Sequence, residues 1–144
     1  MGFILFLVAF ILTVFVFVLS VVFTPIYYIT TFKWRSGLKR FNEYWWQLAI
    51  SMDQFGNGAC GKFLEYIMIK KSLREKCYHF GNIDETVSFV LGVNYNLQTL
   101  NFFGLLIVWL LHILDENHVE KAVEFQKEND LRAKERYEAN SYGK

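Results

Sequence analysis

The sequence lacks the short motifs that usually identify a soluble enzyme. It has no Gly-x-Ser-x-Gly nucleophile elbow, no phosphate-binding loop, no dinucleotide fingerprint and no His-Glu-x-x-His zinc motif. It has only two cysteines, Cys60 and Cys77, which are not in the Cys-x-x-Cys spacing of a redox or metal pair. We expect both to be packed thiols in a reducing compartment.

The chain also lacks a strong net charge. Its 15 basic and 14 acidic residues leave a formal charge of +1. A protein that binds nucleic acid through its backbone needs many basic contacts to phosphates. We therefore expect no nucleic-acid partner.

Charge is absent altogether from the first part of the chain. Residues 2–24 contain no charged side chain, and their few polar groups are hydroxyls that a helix can satisfy through its own carbonyls. About 20 apolar residues cross a bilayer. A cleaved signal peptide would have a basic start, a shorter apolar run and a small-residue cleavage site, and a myristoylation signal would place Ser or Thr at position six. The pattern predicts an uncleaved transmembrane anchor over residues 1–32.

Aromatic and basic residues follow the anchor. Tyr27 and Tyr28 come first, and four basic residues follow within a short stretch: Lys33, Arg35, Lys39 and Arg40. Positive charge stays on the cytoplasmic side of a membrane. We expect the protein to reside in a membrane with its N-terminus outside.

Residues 33–96 are expected to form a membrane-proximal helical region. Apolar residues at spacings of three and four predict an amphipathic helix from Leu38 to Phe55 that lies at the headgroup boundary or packs on the anchor. Gly56, Gly58 and Gly61 predict a turn after it. A short amphipathic helix is favoured over a strand pair for residues 62–77. Asn82 and Glu85 have the spacing of a capping box, which predicts a helix from Asn82 toward Gly92.

Two further segments complete the predicted architecture. Residues 97–114 form an apolar stretch of 18 residues, which predicts a spanning helix, a re-entrant helix or a helix buried against the anchor, and His112 within it is expected to be hydrogen-bonded in helix packing. Residues 115–144 alternate acidic and basic side chains, as in a solvated helix. The fold class predicted is an all-α integral membrane protein with an N-terminal transmembrane helix, a boundary helix, a second apolar helix and a charged C-terminal helix.

Polar residues recur at helical spacing near the predicted turns. The pairs are Asp53 with Asn57, Asp84 with Ser88, and Asp115 with His118. The simpler interpretation is that these groups cap helices and begin the solvated tail. Carboxylates and imidazole are also ligands for divalent ions, so Asp53, Asp84, Glu85 and His118 are the candidate ligands if a metal is bound.

The order of these polar motifs resembles small bacteriophage-encoded proteins of unassigned function. The matching series is Asp53-Gln54-x-x-Asn57, then Asp84-Glu85-Thr86-x-Ser88, then Asp115-x-x-His118, and it covers about residues 47–121. The chain departs from the pattern in the roughly twenty residues, 62–82, that separate the glycines from Asp84, and in Val119, where a cysteine commonly follows the histidine. The resemblance implies a phage or prophage origin and a place at the host envelope.

Two function classes follow from these observations. The first is a non-enzymatic envelope protein, of the lysis-accessory or superinfection-exclusion type, that inserts into the bilayer and self-associates or binds a membrane-protein partner without a cofactor. The second is a membrane-bound, metal-dependent hydrolase of lipid or cell-wall precursor.

The stretch FGNIDETVSF, residues 80–89, has more polar residues than a helix cap needs. Capping explains Asn82, Asp84 and Glu85 but leaves Thr86 and Ser88 without a role. We therefore predict a structural polar cluster of Asp53, Asn57, Asp84, Glu85, Thr86 and Ser88. In this cluster a side chain of Asp84, Thr86 or Ser88 is expected to bond across to the Asp53–Asn57 segment.

Overall fold

The computed structural model describes residues 2–31 and 34–142. Within those ranges the chain is helical, with five α-helices and no named strand. The helices are α1 (Gly2–Thr31), α2 (Trp34–Met68), α3 (Val87–Asn96), α4 (Phe102–Leu114) and α5 (His118–Tyr142), and a short 3₁₀ turn covers Lys71–Leu73. Lys33, part of the predicted basic cluster, lies outside the described residues. The predicted all-α class is confirmed.

Helix α1 is the uncharged N-terminal segment. Its apolar window from Gly2 to Tyr28 is long enough to cross a membrane, and none of the residues in that window is buried within the protein. The helix continues through Pro25 to Thr31, and the hydroxyl of Thr30 donates to the carbonyl of Ile26 at 2.9 Å. It is the one described helix that is long and apolar enough to span by itself.

Helix α2 is a single element of 35 residues, and the turn predicted at its glycines is wrong. The segment 80–83 packs closely on the glycine side of α2. A Cβ on Gly58 would lie 2.8 Å from Cγ2 of Ile83, and one on Gly61 would lie 2.5 Å from Cα of Gly81. A glycine inside a helix costs about 1 kcal/mol of stability relative to alanine, so a helix can continue through these residues. These glycines therefore mark a packing surface rather than a helix end.

The chain becomes irregular after α2, so the helix favoured for residues 62–77 is present only as far as Met68. Ile69 forms an isolated antiparallel bridge with Leu100. The amide of Lys70 donates to the carbonyl of Thr99 at 3.0 Å, and the amide of Asn101 donates to the carbonyl of Met68 at 2.8 Å. This bridge joins the end of α2 to the start of α4.

Helix α3 begins later than the capping-box pattern predicts. Thr86 is the N-cap, and its hydroxyl accepts from the amide of Phe89 at 3.0 Å. Asn82 instead closes a turn, since its side-chain oxygen accepts from the amide of Asp84 at 3.1 Å. The predicted start at Asn82 is wrong because this Asx-type turn competes with helix for the same backbone groups.

The second apolar segment is a shorter helix than its composition predicts. Residues 97–101 form the bridge and turn, and α4 has 13 residues, about 20 Å at 1.5 Å per residue. Asn101 caps it by accepting from the amide of Gly104 at 3.0 Å. Helix α5 follows after a bend of 87°, and the two helices together have the form of a broken span or a re-entrant loop. His112 bonds to Glu120 of α5 at 2.9 Å, as expected for a histidine in helix packing.

The chain divides into two compact units, residues 1–49 and residues 50–144. In the first, the rings of Tyr28 and Tyr44 meet edge to face with centroids 6.5 Å apart. The second contains the buried core. Helices α3 and α5 cross at Gly92, where a Cβ would lie 2.5 Å from the carbonyl oxygen of Val119. The core side chains are Met68, Ile69, Cys77, Phe80, Phe89, Val90, Leu91, Leu100, Val108, Val119 and Val123.

Candidate functional site

One row of α2 residues contacts the chain segment that leads into α3. Asp53, Asn57, Gly61 and Glu65 are spaced four residues apart and therefore lie along one ridge of the helix. We call these four residues the α2 ridge. The segment 77–88 runs antiparallel to it, so that residues early in the segment meet Glu65 and residues late in it meet Asp53.

Asp53 stabilises the beginning of α3. Its Oδ2 accepts from the amide of Ser88 at 3.2 Å, while Thr86 accepts from the amide of Phe89. Two of the four unpaired N–H groups at this helix start are thus satisfied. The carboxylate also lies at the positive end of the helix dipole.

Asn57 fixes the turn that precedes α3. The residue is completely buried, and its amide nitrogen donates to the carbonyls of Asn82 at 2.9 Å and of Glu85 at 3.0 Å. Its Oδ1 accepts from the amide of Gly81 at 3.0 Å. One fully buried side chain thus holds three backbone groups of this turn.

The predicted polar cluster is therefore assembled by different atoms from those expected. The structure brings Asp53 and Asn57 onto the segment that contains Asp84, Glu85, Thr86 and Ser88. Side chains of the first group bond to backbone groups of the second, whereas the prediction placed the bonding side chain on Asp84, Thr86 or Ser88. The Thr86 hydroxyl, for which the sequence predicts no capping role, is the N-cap of α3.

Glu65, at the far end of the α2 ridge, lies beside Cys77 and His79. Nδ1 of His79 is 2.9 Å from Oε2 of Glu65 and 3.8 Å from Sγ of Cys77. One ligand atom from each residue lies within 4.8 Å of those of the other two. Glu65 and Cys77 are buried, and the His79 side chain is 58% exposed, so the cluster opens to solvent on one side.

The position of Tyr78 explains why Cys77 and His79 point the same way. Cys77 and His79 both lie beside Glu65, whereas Tyr78 between them packs edge to face on Phe89. Buried Asn94 holds the backbone of Tyr78 from both directions: its Oδ1 accepts from the amide at 3.0 Å, and its Nδ2 donates to the carbonyl at 2.8 Å. The cluster is thus built on a fixed backbone.

The geometry does not support nucleophilic catalysis by Cys77. Burial, followed by the nearby charge of Glu65, raises the pKa of the Cys77 thiol, and the thiol donates to the carbonyl of Arg74 at 3.2 Å. Both Cys77 and Glu65 approach the same nitrogen of His79, whereas a relay needs one partner at each ring nitrogen. Cys60, expected to be packed, is exposed on α2.

Tyr78 and Glu85 form a second polar contact behind the segment. The phenol donates to Oε1 of Glu85 at 2.6 Å. Burial and then this hydrogen bond raise the pKa of Tyr78 to about 12. The other carboxylate oxygen, Oε2, is buried with no hydrogen-bond partner among the described residues.

The four predicted metal ligands are not gathered at one point. Asp53 caps α3, Glu85 binds Tyr78, and Asp84 is exposed with its carbonyl accepting from Gln54 and Gln126. His118 bonds to Asp115 at 3.1 Å where α5 begins. Lys121 and then His118 hold the pKa of the Asp115 carboxyl below its usual range. Among the described residues, the grouping suited to a metal is instead Glu65, Cys77 and His79.

Sequence reasoning missed Glu65, His79 and Asn94. The four-residue spacing from Asp53 through Asn57 and Gly61 to Glu65 was available as a signal, but it requires that the helix continue through the glycines. Asn94 carries no pattern that predicts its role, because the Tyr78 backbone that it holds is 16 residues away along the chain.

Comparisons with protein-family models, with curated proteins and with solved structures find no match.

Proposed function

We propose that the protein is a membrane-anchored envelope protein that acts by insertion and by binding a partner rather than by catalysis. The observation that carries the proposal is the uncovered apolar length of α1. Phe3, Phe15 and Phe23 are each more than 60% exposed within the chain. Leaving so much apolar surface in water costs roughly 25 cal/mol for each Å², and a bilayer removes that cost.

The exposed apolar face of α4 supports the same proposal. Phe102, Trp109 and Ile113 are exposed by 82%, 58% and 60%, although the opposite side of the helix packs on the core through Val108. A contiguous apolar surface of this kind usually marks an interaction site. Because α1 would keep the second unit near a bilayer, we assign this face to lipid at the membrane surface, with Trp109 suited to the interface.

The orientation follows from charge. Lys39 and Arg40 are exposed on α2 shortly after the anchor, and basic residues favour the cytoplasmic side. On this basis we propose that the N-terminus lies outside and the second unit inside. The order of polar motifs, which resembles that of small phage proteins, favours the inner membrane of a bacterial host and a role of the lysis-accessory or superinfection-exclusion type, with another membrane protein or a second copy as partner.

The anchor is tested by the double substitution Leu12→Arg with Phe15→Arg. Each arginine near the centre of a span costs about 2.5–3.5 kcal/mol on insertion scales, so the variant should leave the membrane fraction and lose any phenotype that expression produces. The matched control is Leu12→Ile with Phe15→Leu, which should fractionate like the parent. Retention of both membrane location and phenotype by the arginine variant would refute the proposal.

A membrane-potential dye, used during controlled expression, distinguishes partner binding from pore formation. An unchanged potential together with a phenotype supports partner binding, and depolarisation supports a pore formed by several copies. Hydrolysis of lipid or cell-wall precursor by the purified protein would contradict the non-enzymatic proposal.

A further inference from the structure

The cluster of Glu65, Cys77 and His79 has no role in membrane insertion or in partner binding. It offers a thiol, an imidazole and a carboxylate from two different chain segments, which is a donor set suited to zinc. A simple ion pair between Glu65 and His79 would not require a buried cysteine beside the same nitrogen. We propose that these three residues bind one Zn²⁺ ion per chain and that the ion ties the end of α2 to the segment 77–79.

The distances fit this donor set. Bonds of about 2.0–2.3 Å to zinc place ligand atoms about 3.3–3.8 Å apart in a tetrahedron. The Cys77 to His79 distance of 3.8 Å is a few tenths of an ångström longer than the ~3.5 Å expected for a sulfur and a nitrogen. The His79 to Glu65 distance of 2.9 Å is a few tenths shorter than the ~3.3 Å expected for a nitrogen and an oxygen, because a direct hydrogen bond joins them. The ion fits when Nδ1 of His79 and Oε2 of Glu65 move apart by a few tenths of an ångström.

The surrounding structure fixes two of the three ligands before an ion arrives. Cys77 and His79 flank Tyr78, whose backbone is held by Asn94 in the buried core. Glu65 belongs to a regular turn of α2. Orientation of ligands by such outer contacts changes metal affinity by about 10–100-fold.

Charge balance also favours the ion. On binding, the Cys77 sulfur forms a bond to Zn²⁺ and its proton leaves to solvent, so that one thiolate and the Glu65 carboxylate neutralise the two positive charges. Lys62, whose Nζ is 3.8 Å from Glu65, is 86% exposed and can turn into solvent. The exposed side of His79 leaves the fourth coordination position to water.

The test uses the full chain in detergent, stripped of metal, in a Cys60→Ser background where Cys77 is the remaining thiol. Zn²⁺ is titrated against a chromogenic chelator, and Co²⁺ is added as a spectroscopic substitute. We expect one ion per chain and a thiolate-to-cobalt charge-transfer band. Cys77→Ser should abolish the band, and His79→Asn and Glu65→Gln should each weaken Zn²⁺ binding at least about 10-fold.

His118→Asn is the matched control, since it removes a histidine that also bonds to a carboxylate and should leave the affinity unchanged. His79→Asn alters an exposed side chain and keeps the test valid if Cys77→Ser does not fold. Absence of the charge-transfer band in the Cys60→Ser protein, or equal loss of affinity in His118→Asn and His79→Asn, would overturn the zinc site and leave an ion pair beside a packed thiol. Neither result bears on the membrane anchor.

Discussion

Three asparagines hold the irregular segments of residues 50–144. Asn57 binds the turn before α3, Asn94 binds Tyr78, and Asn101 both caps α4 and donates to the carbonyl of Ile67 at 2.8 Å. An amide side chain supplies donors and an acceptor at once, so it can replace the regular hydrogen bonds that a loop lacks. These residues determine where the chain turns, and of the three only Asn57 belongs to a polar motif found in the sequence.

Replacement of Asn57 should therefore be severe. Asn57→Ala leaves two carbonyls and one amide without their partner in a buried site, and each such group costs about 1–3 kcal/mol. We expect the free energy of unfolding to fall by at least about 2 kcal/mol, measured by denaturant unfolding in detergent. Asn42→Ala, at an exposed position of the same helix, should change it by no more than about 0.5 kcal/mol. Equal effects of the two substitutions would contradict this account.

Tyr78 should make the stability depend on alkaline pH. Its pKa is about 12 in the folded protein against 10.0 for an ordinary tyrosine. Between these values the unfolded chain loses this proton and the folded chain keeps it, so stability is present below pH 10 and is lost as the pH rises toward 12. In Tyr78→Phe the alkaline decrease should be smaller, and stability at neutral pH should fall by about 1–3 kcal/mol because Glu85 loses its partner. Parallel alkaline curves for the two proteins would exclude this role.

At the scale of elements, the α2 ridge shows how one helix organises the chain that follows it. Asp53, Asn57 and Glu65 supply polar contacts, and Gly61 lets the backbone of Gly81 approach. Gly81 has φ of 115°, a left-handed conformation that favours glycine. The two glycines face each other, one needed for space and the other also for backbone conformation.

The glycines of α2 should respond oppositely to alanine. A Cβ on Gly61 would lie 2.5 Å from the backbone of Gly81, whereas one on Gly56 would meet only Val87 at an ordinary 3.7 Å. We expect Gly61→Ala to lower the free energy of unfolding by about 1–3 kcal/mol, the usual cost of overpacking. Gly56→Ala should raise it by about 0.5–1 kcal/mol through helix propensity. Thermal unfolding of both variants decides the matter, and stabilisation by Gly61→Ala would show that the segment 80–83 does not lie on α2.

Local patterns predicted the helical elements better than their ends. The uncharged run of α1, the stripe beginning at Leu38 and the alternating charges of α5 each repeat over many residues, so no single contact decides them. The end of α2 and the start of α3 depend on Gly61 meeting Gly81 and on Asn57 binding Glu85, which lie 20 and 28 residues apart. Separation in sequence also hid the proposed zinc ligands, because Glu65 and His79 lie 14 residues apart and meet only since α2 ends at Met68 and the chain turns back along it.

At the scale of the whole molecule, contacts within the second unit limit how it can be arranged at a membrane. Helix α5 packs on α3 at Gly92, and Gln126 donates to the carbonyl of Asp84 at 3.4 Å. Two segments in direct contact cannot lie on opposite sides of a bilayer. In the proposed membrane arrangement the beginning of α5 therefore lies on the same side as the segment 80–92, and α4, at about 20 Å, does not cross the bilayer but lies with its exposed apolar face at the membrane surface.

Cysteine labelling in intact cells tests this arrangement. Lys71→Cys and Lys127→Cys place a thiol at two exposed positions of the second unit, and a Cys60→Ser background removes the natural exposed thiol while Cys77 stays buried. We expect a membrane-impermeant maleimide to react with neither position in intact cells and with both after permeabilisation, because the proposed orientation puts both inside. Gly2→Cys, at the start of α1, should react from outside and shows that the reagent reaches the anchor. Reaction of Lys127→Cys but not Lys71→Cys in intact cells would mean that α4 crosses the bilayer and that α5 is separated from α3, which is incompatible with the packing at Gly92.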